Sequence, residues 1–206
     1  MSKFQLPRKI FVTGTDTDVG KTVLAGTLCL GLGAHYWKPV QAGYPTDSET
    51  IASWIGAERV FPEGIVLDHP RSPNQAARME GIQIDHTTLT LPPHDGPLIV
   101  EGAGGLMVPM NDQFMMIDLI DQLHLPVILA ARSGLGTLNH TLLSIAALRV
   151  RSIPILGVVL IGPPHRDNAR DIGQFGHVPI LGEIDRLDQL TRARLMGVFE
   201  GFAINS

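Results

Sequence analysis

A largely parallel, doubly wound α/β sheet flanked by helices is the architecture this sequence predicts, and three observations carry that expectation. Short runs rich in Val, Ile and Leu alternate with segments patterned at helical spacing. The runs are mostly apolar throughout, as strands covered on both faces must be. Glycine-rich turns follow three of them, at "GTDTDVGKT" (14–22), "EGAGG" (101–105) and "SGLG" (133–136).

The elements follow in order. "KIFVT" (9–13) reads as a strand and "KTVLAGTLCLGL" (21–32) as the helix after it. "YWKPV" (36–40) is a second strand, followed by a helix in "SETIASWIG" (48–56). Residues 57–97, rich in Pro and His, are expected to form connections, with one short helix near "NQAARMEG" (74–81). Strands resume at "PLIVEG" (97–102), "PVILAA" (126–131), "ILGVVLI" (155–161) and "VPILGE" (178–183). Helices are expected at "MMIDLIDQLH" (115–124), "TLNHTLLSIAALRV" (137–150) and in the C-terminal stretch 186–202. In the second of these, Leu138, Leu142 and Ile145 share one face at helical spacing. No internal repeat or long linker divides the chain, so residues 1–206 are read as one domain.

Composition narrows the function. With 44% hydrophobic and 17% charged residues the chain can bury a sizeable core. A net charge of −4 gives no general attraction to nucleic acid or to an anionic membrane. Cys29, the single cysteine, excludes disulfide frameworks and Cys-rich zinc sites, and its apolar helical setting points to packing. The first ten residues lack the apolar core of a signal peptide, and no apolar run approaches the roughly 18 residues of a membrane helix. The expected compartment is the cytoplasm.

The first glycine turn carries the chemistry. A phosphate loop usually reads G-x-x-x-x-G-K-[ST], whereas Gly14 and Gly20 here are separated by five residues. The physically necessary parts remain: a strand leads in, Gly20 lets the backbone turn, and a helix starts at Lys21. Backbone N–H groups near Thr17–Thr22 can then face a polyphosphate at a positive helix end, and Thr15, Asp16, Thr17, Asp18, Val19, Gly20, Lys21 and Thr22 form the candidate nucleotide-binding stretch. Lys21 would reach the phosphate oxygens and the Thr22 hydroxyl a Mg2+ ion. These parts read together as a nucleotide site.

A bound Mg2+ also needs carboxylates. Glu101 ends an apolar strand where ligands collect in open α/β sheets, and burying it unpaired would be costly. Asp47 follows the second strand and reads equally as a metal ligand or as a helix cap, with Glu49 a competing ligand. Lys38 reads either as a solvated edge lysine or as an active-site cation. At the third turn Thr137 is a candidate N-cap, leaving the N–H groups of Leu138, Asn139 and His140 directed outward, and the turn reads equally as an anion site or as an ordinary tight connection.

"GTDTDVGKT", "KPVQAG", "VEGAGG", "GTLNH" and "ILGEI" occur in this order, and that ordered set resembles the dethiobiotin synthetase family. The resemblance implies a P-loop NTPase-like fold and a homodimer with active sites at the interface. It implies a reaction that joins CO2 to 7,8-diaminononanoate with ATP and Mg2+, giving dethiobiotin, ADP and phosphate through a carbamate and a carbamic–phosphoric anhydride. Matched motif by motif, Lys21 and Lys38 would be catalytic, with Thr17 on the carbamate. Thr22, Asp47 and Glu101 would hold Mg2+. Lys38, Ala42, Gly102 and, from the partner subunit, Gly136, Thr137, Leu138 and Asn139 would bind the diamine substrate. Gly162, Gly182, Glu183, Ile184 and Asp185 would complete the nucleotide site. Ala42 stands where members often carry Ser or Thr, removing one hydroxyl. Ile161 stands where some carry an adenine-reading Asn, leaving the base to the backbone around Gly162 and Gly182–Asp185.

An ATPase switch of the partitioning type is the alternative. Such proteins start the loop with "KGG", and Asp16 and Thr17 in that region argue against it.

Overall fold

The computed structural model describes residues 4–205. A short strand β1 (Phe4–Gln5) precedes β2 (Lys9–Gly14) and helix α1 (Lys21–Gly31). Then come β3 (His35–Trp37), β4 (Val40–Ala42), α2 (Asp47–Ile55), β5 (Ile65–Leu67) and α3 (Pro73–Glu80). Strand and helix alternate through β6 (Leu98–Gly105), α4 (Met116–Gln122), β7 (Val127–Arg132), α5 (Thr137–Val150) and β8 (Ile155–Ile161). The chain finishes with α6 (Arg166–Gly176), β9 (Ile180–Ile184), α7 (Arg192–Glu200) and β10 (Ile204–Asn205).

Six strands form one sheet in the order β3-β6-β2-β7-β8-β9, every pair parallel. β3 and β6 lie to one side of β2, and β7, β8 and β9 to the other. The C-terminal ends of β2, β6 and β7 therefore open on a topological switch point, the crevice where such sheets bind ligands.

The continuous apolar character of the strands has its explanation in two covered faces. Ile10, Val12, Ile99, Ile128 and Val159 pack with Leu24 of α1, Ile51 of α2 and Phe199 of α7. Phe11, Val100, Leu129 and Leu160 pack with Ile117 of α4, Leu148 of α5 and Ile172 of α6. α7 lies so close to α1 that a Cβ at Gly31 would enter the Phe199 ring. Among the described residues no helix is long and apolar enough to cross a membrane.

The structure corrects four local expectations. The strand expected over 36–40 is broken: Tyr36 and Trp37 pair with β6, whereas Val40 pairs with Ile65 of β5 in a separate two-stranded sheet. Pro39 has no N–H to continue a ladder, so the chain changes sheets there and Lys38 is left at the break. α7 begins at Arg192 rather than 186, because the Thr191 hydroxyl caps it by accepting the Arg194 N–H at 3.4 Å. α6 has no counterpart in the sequence reading; its charged residues outnumber the one large apolar side chain it buries, Ile172. The β4–β5 and β1–β10 pairs are too short to leave a pattern. The short helix expected at 74–81 is present as α3.

Candidate active site

β2 delivers the phosphate loop. The Thr15 N–H still bonds the Ala130 carbonyl of β7 at 3.0 Å, so the backbone leaves the sheet only after it. Two left-handed residues then turn the chain, Asp18 (φ 55°) and Gly20 (φ 97°). Gly20 is the helix N-cap, and a Cβ there would approach the Ile161 side chain to 3.0 Å. Lys21 reaches back and donates to the Asp16 carbonyl at 2.9 Å, so the loop closes around its own ammonium group. Burial pulls that ammonium below the ordinary lysine value; Glu101 draws it back up and Lys38 pushes it down again.

Beside the loop stands a buried charge cluster. Glu101, at the crevice side of β6, is 1% exposed and its Oε1 accepts from Thr22 Oγ1 at 3.0 Å and Lys38 Nζ at 3.3 Å. Its Oε2 accepts from the Tyr36 hydroxyl at 2.9 Å. Lys38, 3% exposed, also pairs with Asp47. Burial alone would lower the Lys38 ammonium, but Glu101 and then Asp47 outweigh it and hold it above the ordinary value. A solvated edge lysine is thereby excluded. The two roles left open for Asp47 also separate. Thr46 caps α2, with its hydroxyl accepting the Glu49 N–H at 3.1 Å and Glu49 Oε2 accepting the Thr46 N–H at 2.9 Å. This capping box occupies Glu49 and leaves the Asp47 carboxylate turned to Lys38.

These groups line a cavity of about 750 Å³, with Thr17, Lys21, Lys38, Ala42, Asp47 and Glu101 among its walls. Among the described residues no cluster of three or more His, Cys, Asp and Glu side chains forms a metal site. The hard oxygen donors here are two carboxylates and the Thr22 hydroxyl, a set that suits Mg2+. The Lys38 ammonium already stands between the two carboxylates as a cation.

A family model described as an AAA domain matches residues 8–194. The ATP-dependent dethiobiotin synthetase BioD of Paramagnetospirillum magneticum is 48% identical over 193 residues, covering 93% of this chain and 94% of that protein. The chain belongs to the dethiobiotin synthetase family. The bifunctional biotin biosynthesis protein BioCD of Bordetella avium is 51% identical over 191 residues, and the match covers 90% of this chain and 41% of that longer protein. Solved structures similar in fold include a putative plasmid partition protein of Borrelia burgdorferi bound to AMPPNP and a MinD complexed with Mg-ADP from Pyrococcus horikoshii. Their TM-scores are 0.56 and 0.55 at 10% and 12% identity, each over 95% or more of this chain and 95% of the other. They share the architecture of the dethiobiotin synthetase chain, and the partitioning alternative rests on that distant fold relation alone.

Not every residue that the family motifs single out reaches the cavity. Gly102 points the other way, where a Cβ would meet Phe11 at 2.8 Å and the Met116 sulfur at 3.2 Å; Glu101, Ala103 and Gly104 line the wall instead. At the third turn the cap is Gly136 (φ 90°), and Thr137 is the first residue of α5 with its hydroxyl bonded to Thr141 at 3.2 Å. Glycine takes the cap because the turn requires a left-handed residue there. The Thr137 and His140 N–H groups are taken by the Gly134 and Gly136 carbonyls, so Leu138 and Asn139 carry the outward pair. On the nucleotide side, the Gly162 N–H bonds the Ile184 carbonyl at 2.8 Å, while Gly182 packs on the Phe202 ring and the Ile184 side chain is buried. Glu183 and Asp185 are exposed beside them. Sequence reasoning missed Tyr36, Gln41 and Arg132. Gln41 accepts the Asp47 N–H at 3.2 Å and donates to the Gly43 carbonyl at 2.9 Å. Arg132 reaches the Thr17 carbonyl at 3.2 Å. Only a buried tyrosine and glutamine flanking "KP" hinted at the first two.

Proposed function

We propose that this chain, acting in the cytoplasm as one domain, carries out the family reaction: MgATP-dependent joining of CO2 to 7,8-diaminononanoate and closure of the ureido ring of dethiobiotin. One observation carries the reading. Lys21, Lys38, Thr22, Asp47 and Glu101, drawn from four separate chain segments, meet at one cavity at the switch point of the sheet.

The chemistry runs in three balanced steps. One amine nitrogen bonds the CO2 carbon and loses a proton, giving a carbamate. A carbamate oxygen bonds the γ-phosphorus as the bond to the ADP oxygen breaks. The second amine then attacks the carbonyl carbon, loses a proton and expels phosphate. None of these steps needs a side-chain nucleophile; each needs aligned anions with their repulsion offset. The loop N–H groups and Lys21 would hold the triphosphate. Lys38 would face the carbamate and the transferring oxygens, and Thr17 would hydrogen-bond the carbamate. Thr22, Asp47 and Glu101 would hold Mg2+, which when bound neutralises phosphate charge.

An exposed apolar face supports the homodimer. Leu143 and Val150, seven residues apart on α5, stand 61% and 84% exposed; Met107, at 60%, shares a cavity wall with Leu143, and Leu135 is fully exposed in the turn before α5. Covering them with a second copy would bring that copy's Leu138 and Asn139 N–H groups to the interface for the substrate carboxylate.

Incubation with the diamine, bicarbonate and MgATP tests the proposal. Phosphate release that requires the diamine, together with the cyclic urea, is expected. Diamine-independent ATP turnover with no urea would replace the reading with the switch. Lys21→Ala is expected to abolish turnover with an unchanged circular dichroism spectrum, and retained turnover would remove the phosphate-loop assignment.

A further inference from the structure

Tyr36 is the one member of the charge cluster that cannot touch a ligand in the cavity. Its side chain is fully buried, with 0% exposure, in β3 at the edge of the sheet. Its phenol nevertheless spends its one donor on a site carboxylate, at 2.9 Å from Glu101 Oε2. The other oxygen, Oε1, faces Thr22 and Lys38. The two oxygens are thereby divided between a wall that is closed and a cavity that is open.

A carboxylate held on one side only can rotate about its terminal bond, whose torsion is soft. The strand fixes where Glu101 starts, not how its plane lies. The Tyr36 hydroxyl supplies that second constraint, because it anchors Oε2 from a side where no water replaces it. Tyr36 itself is fixed by its ladder: it pairs with Ile99 in β6, two residues before Glu101. Donor and acceptor are thus mounted on adjacent, hydrogen-bonded strands of the rigid sheet.

We infer that Tyr36 is a positioning residue for the divalent cation, orienting Glu101 so that Oε1 is presented to the site of Thr22 and Asp47. This rests on the proposed role of Glu101 as a Mg2+ ligand. It assigns to a residue outside the cavity part of the affinity for the metal. Outer partners of metal ligands ordinarily matter in this way, with losses of about 10- to 100-fold in affinity on mutation.

The test is Mn2+ binding, with the free ion counted by electron paramagnetic resonance in the presence of one equivalent of ADP, on wild type, Tyr36→Phe and Glu101→Gln. Tyr36→Phe is expected to weaken Mn2+ binding about tenfold. In turnover it is expected to raise the Mg2+ concentration for half-activity by a similar factor, with kcat recovered at saturating Mg2+. An affinity equal to wild type in Tyr36→Phe, alongside a loss in Glu101→Gln, would overturn the positioning role and leave the metal reading standing. Wild-type affinity in both variants would overturn both. A variant that loses thermal stability but binds Mn2+ normally makes Tyr36 a packing residue and also overturns the inference. Should Tyr36→Phe fail to fold, Tyr44→Phe leaves Tyr36 as the sole tyrosine. Labelled with 3-fluorotyrosine, its fluorine resonance is expected to shift as Mg2+ is added with ADP, and a resonance that stays fixed to saturation would refute the coupling.

Discussion

Lys38 sits between two carboxylates at 3% exposure, so its protonation enters the stability of the fold. Its folded value lies above the unfolded one, which makes the sign definite. The contribution is fully present below the ordinary lysine value of 10.5 and is lost as pH rises through the higher folded value. Lys38→Met leaves Glu101 and Asp47 without their cation, and breaking a buried pair in this way costs about 3–5 kcal/mol. The gap in urea midpoint between wild type and Lys38→Met is expected to be widest near neutral pH and to narrow above 10.5. Lys21 is shifted the other way, in part by Lys38 itself, so its change in the variant opposes the narrowing and does not produce it. The neighbouring acids give a second outcome. Asp47→Asn is expected to raise the Mg2+ requirement of turnover by about tenfold, whereas Glu49→Gln, whose amide still serves the capping box, is expected to leave it unchanged. Equal Mg2+ titrations for the two variants would remove Asp47 from the metal site.

At the level of the element, the capping box at Thr46–Glu49 holds the first turn of α2, and with it the backbone that carries Asp47. Thr46→Ala is expected to cost about 1 kcal/mol in chemical denaturation, the ordinary value of such a cap. The phosphate loop was legible in sequence because its parts are local: strand, two glycines, Lys21 and Thr22 within fourteen residues of Lys9. The sheet's strands were legible too, since covering on both faces makes them apolar throughout. The motifs put Lys38 and Glu101 at one site, but their direct ion pair was not legible, because 63 residues separate them and residue type does not say which groups touch. Nor was the break after Trp37, where apolar character continues through Val40 while the hydrogen-bonding partner changes from β6 to β5. α6 escaped because it is mostly polar and charged, with Ile172 its one large buried side chain, and so reads as a connection.

For the whole molecule, the exposed side chains of Met107, Leu143 and Val150 bear on the proposed assembly. Leu143→Asp is expected to shift the protein to half its mass in sedimentation equilibrium and to lower turnover, because the copy that supplies the Leu138 and Asn139 N–H groups would be gone. A variant of unchanged mass would set the interface elsewhere. The hydrogen bond from Lys21 to the Asp16 carbonyl has its own consequence at this scale. The turn is wrapped around a positive charge before any triphosphate arrives, so its shape is settled during folding and not at encounter. An incoming anion exchanges one acceptor for another on the same ammonium, with little ordering left to impose. Capture should therefore be limited by encounter and slow with both solvent viscosity and ionic strength, as for a socket already cut to its plug.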